Sequence, residues 1–500
     1  MTLHRSHLLP ASLADIAISA TARQGQYGAV TDIADEHGLS RQAVYRIREQ
    51  GHQVLIDGFQ KQTTQLWPPT VPEGDLRRSI IALYTIAPAS IDDIVDILPV
   101  IFPGNGRCHG YIHQVILTAT MQAAKLLEDI ELAGIDAVAI DEMFWHKTPL
   151  LTGIDLDSGF LFSAEKTRDR SGPEWVSRLE ALKGNGLDPA VIIKDAGSAM
   201  AEAATQVFPH ADQRDDLFHA IALLNETGRY LENAAYRAIK NFEALDARRK
   251  RAKKRSRRVL GQKCRHYRPR MEAAIDRFDT FDGLSEAVKA LLRLCDPGSG
   301  QLRSAEDIRQ RLPQLAEQIA GLGGKRARKA GRYLKGRADG LSSYLSSLSA
   351  ELGSCVQLVG DEKLVACVLR SYQANLLAGR GPQWQRSGRQ SELEDSVRAL
   401  VKVSGSPSRL CRVIEVVIPV LERRHRASSA IENVHSVLRP YISVHKRVSQ
   451  GFLDLFRFYW NTRKRRWGRH KGTSALEVLT GEQHTDWLTL LGFPPSTTTS

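Results

Sequence analysis

The hydrophobic pattern of this chain changes period in one place, and that change limits what it can fold into. From Gly134 to Ala220 strand-like segments appear, whereas the stretches on either side repeat their apolar residues at helical spacing. Inside this window IDAVAID (135–141) is an apolar run that ends in an acid. PLLTGIDLD (149–157) and GFLFSAEKT (159–167) flank Ser158 and predict a hairpin. A helix is expected over 172–184, with Trp175, Leu179 and Leu182 on one face. A second buried-type strand, AVIIKDAG (190–197), again ends in an acid. A short helix over 198–207 leads to HADQRDDLFHA (210–220), a short strand running into a helix. Strand, hairpin, helix, strand, helix, strand is the order of a mixed α/β sheet.

With 500 residues, the chain is long enough for two to four domains. A 42% hydrophobic composition excludes wholesale disorder. Lys and Arg number 69 against 56 Asp and Glu, a net charge of +13, which suits a polyanionic partner. The excess is local. Residues 248–270 contain thirteen cations and no acid, so the rest of the chain sums to zero. Nine of them are Arg248, Arg249, Lys250, Arg251, Lys253, Lys254, Arg255, Arg257 and Arg258. Acid-free runs this dense usually meet phosphate, and the run is expected to contact DNA backbone. Lys325–Arg337 and Arg463–Lys471, with Trp467 inside the latter, are further basic clusters. No stretch approaches the roughly 18 apolar residues of a membrane span, and Asp15 interrupts any leader-like run. The six cysteines form no CxxC pair, as expected of reduced thiols in a cytoplasmic protein.

Residues 29–51, AVTDIADEHGLSRQAVYRIREQG, carry small Ala34 at a helix crossing, Gly38 at a tight turn and Val44 as an apolar anchor. Ser40 is a helix N-cap by type. The outward residues Arg41, Gln42, Tyr45, Arg46 and Arg48 are suited to phosphates and base edges in a major groove. The spacing resembles the helix-turn-helix of regulators, integrases and transposases. A looser candidate runs from Ser90 through Gly104 and Gly106 to a helix over 110–127, and Trp67–Gly74 reads as a linker between the two. Residues 1–130 hold ten cations and thirteen acids, so DNA affinity here must come from one basic helix.

Asp141 and Asp195 each close a buried strand, and sites in open α/β sheets form at strand ends. A carboxylate there is costly unless something pairs with it, and a divalent cation is one solution. Other acids compete. Asp155 and Asp157 fit a solvated turn, Glu142 would point away from Asp141, Asp215 rivals Asp216, and Glu415 and Glu422 precede Glu432 on a helical stretch.

Taken together these residues resemble the RNase H-like core of DDE transposases. Glu432, in RRHRASSAIENVHSVLRPY (423–441), resembles the glutamate helix of bacterial insertion-sequence transposases, and Asp216 and His219 in DDLFH match an Asp-x-x-His motif seen in several transposase groups. The segment FYWNTRKRRWGRHKGTSALEVLTG (458–481) resembles their C-terminal tail, with Ala475 where a proline is expected. The resemblance implies catalysis by Asp141, Asp195 and Glu432, with Asp141 bridging two Mg²⁺ ions (Mn²⁺ as substitute) and the other two holding one each. Water would free a transposon 3′-OH, which would then attack target DNA. Asp216, His219 and Arg439 would support the site; Arg439, two helical turns after Glu432, would contact a DNA phosphate.

The implied layout is a helix-turn-helix domain (1–66), a second helical domain (75–133), an RNase H-like core in two parts (134–220 and 413–470), an all-helical insertion (221–412) and a tail (471–500). Expected partners are transposon ends, target DNA and further copies of the chain, with no membrane, in a bacterial, nucleoid-associated setting. A catalytically inactive DNA-binding regulator and an RNase H-like nuclease are the alternative functions.

Overall fold

A computed structural model of the protein describes residues 8–66, 71–195, 197–379, 383–444 and 448–496. The chain divides into two compact units, Met1–Ile116 with Phe493–Ser500, and Leu117–Gly492. The first holds α1 (Pro10–Ala22), α2 (Ala29–Glu36), α3 (Arg41–Leu66), α4 (Glu73–Ile86), α5 (Ile91–Ile101) and the start of α6 (His109–Glu128). Helices α1–α3 close on a core that includes Ile16, Ile33, Ala34, Val44 and Ile47. Gly38 makes the α2–α3 turn at φ +63°, and the Ser40 hydroxyl accepts from Ala43 N at 3.2 Å. Gly51 lets α3 approach α1, because a Cβ there would sit 2.5 Å from the Cβ of Ala17. Ser90 and Asp93 form a capping box at the start of α5. Of the expected linker, residues 67–70 lie outside the described residues, and Glu73 and Gly74 belong instead to the first turn of α4, with Pro72 at its N-cap.

The second unit carries the sheet: β1 (Ala137–Trp145), β2 (Thr148–Asp155), β3 (Leu161–Lys166), α7 (Gly172–Gly184), β4 (Val191–Lys194), α8 (Ser198–Val207) and β5 (Asp212–Asp215). Its order is β3-β2-β1-β4-β5. Strands β1, β2 and β3 run antiparallel as a meander, and β4 and β5 join parallel to β1. Helices α7 and α8 are the crossovers that parallel neighbours require. Trp175 and Leu179 of α7 pack with Val138, Ile140 and Ile192 in one core.

The first strand is longer than its sequence predicts. β1 does not stop at Asp141 but continues to Trp145 and turns through His146 and Lys147 into β2, so Asp141 lies mid-strand opposite Thr152. The turn escapes notice in the sequence because its positive-φ residue is His146 (φ +54°), not the usual glycine or asparagine.

Beyond β5, α9 (Leu217–Arg251) and α10 (Lys254–Leu291) pair as a long helical hairpin. Then follow α11 (Ala305–Gly321), α12 (Lys325–Lys335), α13 (Ala338–Ser342), α14 (Tyr344–Val359), α15 (Glu362–Ala378), α16 (Gln383–Ser404) and α17 (Pro407–Glu422). They share a core with α9 and α10 that includes Leu224, Phe281, Leu312, Leu345 and Val368. The chain returns to the sheet with α18 (Ser429–Val444) and α19 (Gln450–Thr462), and ends with α20 (Ala475–Thr480) and α21 (Trp487–Leu490).

The β3 edge of the sheet is covered, which removes open strand pairing there, and α13 packs against β5 at the other edge. Along β3 the cover is made by side chains of α19. Buried Asn461 accepts from Leu161 N at 2.7 Å and donates to Leu161 O at 3.0 Å, as a neighbouring strand would. Gln450 does the same for Lys166 N and Ala164 O. At β5, Arg337 from beside α13 binds Asp215 at 2.9 Å. The tail helix explains its own sequence. Ser474 and Glu477 form a capping box, which places Ala475 at the first helical position. Proline is favoured there but supplies no bond that alanine lacks.

Candidate active site

Strand register brings the acids together. β1 and β4 pair in parallel up to Ile140 opposite Lys194, and β4 and β5 up to Lys194 opposite Asp215. One residue further along each strand come Asp141, Asp195 and Asp216. The three acids therefore occupy one level across the sheet, with Thr152 of β2 opposite Asp141.

Helix α18 crosses this level. Its buried residues Ile431, Val434, His435, Leu438, Tyr441 and Ile442 recur at helical spacing, and Glu432 lies at the margin of that face. Asp216 fixes the helix in place. Its carboxylate, fully buried, accepts from Ser428 N at 2.9 Å and Ser428 Oγ at 2.6 Å just ahead of α18. The same carboxylate caps α9 through Phe218 N and His219 N, and meets His219 Nδ1 at 2.8 Å. Burial pushes its pKa up, but the hydrogen bonds from His219 and Ser428 outweigh burial and hold it below the ordinary range.

Asp141, Asp195, His219, Glu432, His435 and Arg439 line one cavity of about 590 Å³. Within it, Asp141, Glu432 and His435 each offer a ligand atom within 4.8 Å of the others, a group that could hold a metal ion. Asp195 sits outside that compact group and faces His219, whose Nε2 is 3.5 Å from its Oδ2. Asp141 is buried, and its Oδ1 accepts from Glu142 N at 2.7 Å. Burial raises its carboxyl to about 7, and the neighbouring Asp195 and Glu432 add to the rise. His219 is pushed up to about 9, first by its bond to Asp216 and then by Asp195, so it is a cation at neutral pH. His435 is pushed down to about 4 by burial and by nearby Arg439 and His219, so it is neutral. Arg439 lies at the exposed rim, 3.6 Å from Glu432.

The competing acids are engaged by other partners, although Glu142 also lines the cavity. Glu142 accepts from Trp175 Nε1 at 2.9 Å and pairs with Arg170. Asp215 is held by Arg337. Glu415 is exposed on α17, and Glu422 lies 3.8 Å from Arg469. Asp155 departs from expectation: it is buried rather than solvated, because its carboxylate accepts from the backbone N and hydroxyl of Ser158 and closes the β2–β3 turn. Asp157 lies in the same turn, 3.3 Å from His425.

In the first unit Arg41, Gln42 and Arg46 are exposed on α3, and Arg48 lies over the Tyr45 ring. In the second, the 248–258 run forms the tip of the α9–α10 hairpin. All of its cations are exposed except Arg249, which binds Asp246 at 2.8 Å.

His435 and Thr152 join the site without having been expected there. His435 could have been found from its spacing, since a residue three after Glu432 lies on the same side of a helix. Thr152 carries no such signal, because only the β1–β2 register sets it opposite Asp141. Among the described residues, no helix is long and apolar enough to cross a membrane. Compared with known proteins, the chain matches no family model and no curated sequence.

Proposed function

We propose that the protein is a DDE-type transposase, which cleaves DNA at transposon ends and joins the freed 3′ ends to target DNA. The observation that carries this reading is the meeting of Asp141, Asp195 and Glu432, from three elements far apart in the chain, at one open cavity. A meander extended through helices by two parallel strands supports an RNase H-like core, and α9–α17 fit a helical insertion between the second and third carboxylates.

The residues suit divalent cations. A buried carboxylate is costly without a positive charge beside it, and burial first, then the neighbouring Asp195 and Glu432, raises the Asp141 carboxyl. Asp141 and Glu432 would hold one ion, with Asp195 available to the second across the cavity. Bound divalent cations supply Lewis-acid stabilisation of the attacking and leaving oxygens in displacement at phosphorus. The protein does the positioning. Asp216 locks α18 against the sheet and holds His219, and the His219 cation keeps the Asp195 carboxylate turned into the cavity. Arg439, exposed at the rim beside Glu432, would meet a DNA phosphate. The exposed hairpin tip adds backbone affinity without sequence preference, and α3 with its outward Arg41, Gln42 and Arg46 suits a recognition helix.

The test incubates the full chain, as a dimer or larger assembly, with Mg²⁺ or Mn²⁺ and DNA bearing the element's own ends, and sequences the products. Staged 3′-end cleavage followed by joining is expected. Cleavage without joining would leave the nuclease reading, and DNA binding with neither would leave the regulator.

A further inference from the structure

Helix α18 carries Glu432 and His435 in a Glu-x-x-His spacing, which turns both side chains toward the strand that bears Asp141. That spacing on a helix lets one turn supply an oxygen and a nitrogen to the same ion. His435 is only 1% exposed, so its ring nitrogens must be satisfied inside the protein.

One of them is. His435 Nε2 lies 2.8 Å from Thr152 Oγ1, and the same hydroxyl lies 3.0 Å from the carbonyl oxygen of Asp141. A carbonyl only accepts, so the one hydroxyl proton of Thr152 goes to Asp141. The bond from His435 must then be donated by Nε2–H. A neutral ring with its proton on Nε2 leaves a lone pair on Nδ1. That nitrogen faces Asp141 Oδ2 at 3.6 Å, beyond hydrogen-bond range, with Glu432 in the same group. Three ligand atoms converge here, and among the described residues no hydrogen bond joins His435 Nδ1 to either carboxylate.

We infer that His435 is itself a metal ligand through Nδ1, and that it gives this site a preference for Mn²⁺ over Mg²⁺. The inference rests on the proposed reading of Asp141 and Glu432 as metal ligands, but not on DNA being the substrate. Mg²⁺ favours oxygen donors and sheds its waters reluctantly, whereas carboxylate sites that include a helical Glu-x-x-His pair hold transition metals, manganese among them. Thr152 plays the orienting part that a carboxylate or carbonyl often plays for a metal-bound histidine.

The test is a Mn²⁺ titration of the full chain followed by electron paramagnetic resonance, with Mg²⁺ as competitor and no DNA present. The bound Mn²⁺ should show coupling to a directly bonded ¹⁴N nucleus, replaced by the ¹⁵N pattern when the histidines are ¹⁵N-labelled. The coupling should persist in His219→Gln and vanish in His435→Asn, with Mn²⁺ affinity falling about tenfold and Mg²⁺ affinity changing less than about twofold. Thr152→Val should weaken Mn²⁺ about tenfold while keeping the coupling, because it removes the orienting bond and leaves the ligand. Mn²⁺ bound without nitrogen coupling in the unaltered protein would overturn the role of His435 and leave the carboxylate site standing. A coupling that survives His435→Asn, or disappears with His219→Gln alone, overturns it as well. Failure of Mn²⁺ to bind at all would remove both this inference and the metal site beneath it. Even if His435→Asn does not fold, absence of nitrogen coupling in the unaltered protein, or its loss in His219→Gln, overturns the assignment.

Discussion

The carboxylate cavity and the tip of the α9–α10 hairpin handle charge in opposite ways. In and behind the cavity, each acid is held by named partners: the buried Asp216 alone accepts from two backbone amides of α9, from His219 and twice from Ser428. At the hairpin tip, nine cations follow one another without an acid, and all but Arg249 are exposed. Chemistry at phosphorus demands groups fixed in position before the substrate arrives. Binding a polyanion demands only charge density, because counterion release rewards each neutralised phosphate whatever the geometry. One region is specified by hydrogen bonds and the other by composition, and substitutions should separate the two.

The largest separation is expected from Asp195→Ala. Metal-dependent end cleavage should fall by about a thousandfold or more, while DNA affinity in a filter or gel assay stays within about twofold. Comparable losses of both would break the division of labour. Next comes Asp216→Asn, which puts an amide donor where five donors now converge. A loss of about 3 kcal/mol in denaturant unfolding is expected. A near-neutral result would show that α18 is held by its apolar face alone.

Replacing Arg248, Arg251, Arg255 and Arg258 by Gln should do the reverse. Fold stability should barely move, since surface substitutions usually stay within about 0.5 kcal/mol. The log–log salt slope of DNA binding should flatten by about 0.9 for each phosphate that is no longer neutralised. An unchanged slope would remove the hairpin tip from the DNA interface.

The smallest effect is in pH. His219 has its pKa raised from 6.5 to about 9, so its charged state stabilises the fold. That contribution is fully present below pH 6.5 and is lost as pH rises through about 9. In metal-free protein the melting temperature should decline across this window, and His219→Gln should abolish that part of the decline. An identical pH profile in the variant would sever the link between His219 and Asp216.

Much of the fold is legible from local pattern. The bounds of α7 and α8 follow from apolar spacing and flanking glycines, and β2 and β3 from their runs on either side of Ser158. The departures share a cause. β1 reads as ending at Asp141 because a buried acid interrupts an apolar run, yet the strand continues since Thr152 and the backbone of β2 pair with it. Asp155 reads as solvated because turn acids usually are, yet Ser158 satisfies it within the turn. Ala475 stands where the transposase resemblance leads one to expect proline, and it takes the first helical position behind the Ser474–Glu477 capping box.

By itself, the sequence determined where the sheet lies, that helices fill the rest, and that the positive charge is concentrated in residues 248–270. These properties depend on neighbours along the chain: hydrophobic period sets the elements, and composition sets the field. Only the tertiary structure decided that Asp141, Asp195 and Asp216 share one level of the sheet, that α18 crosses it, and that His435 reaches Asp141 and Thr152. Strand register and helix docking join distant segments, and they follow from which donors and acceptors must be satisfied when those segments are buried together.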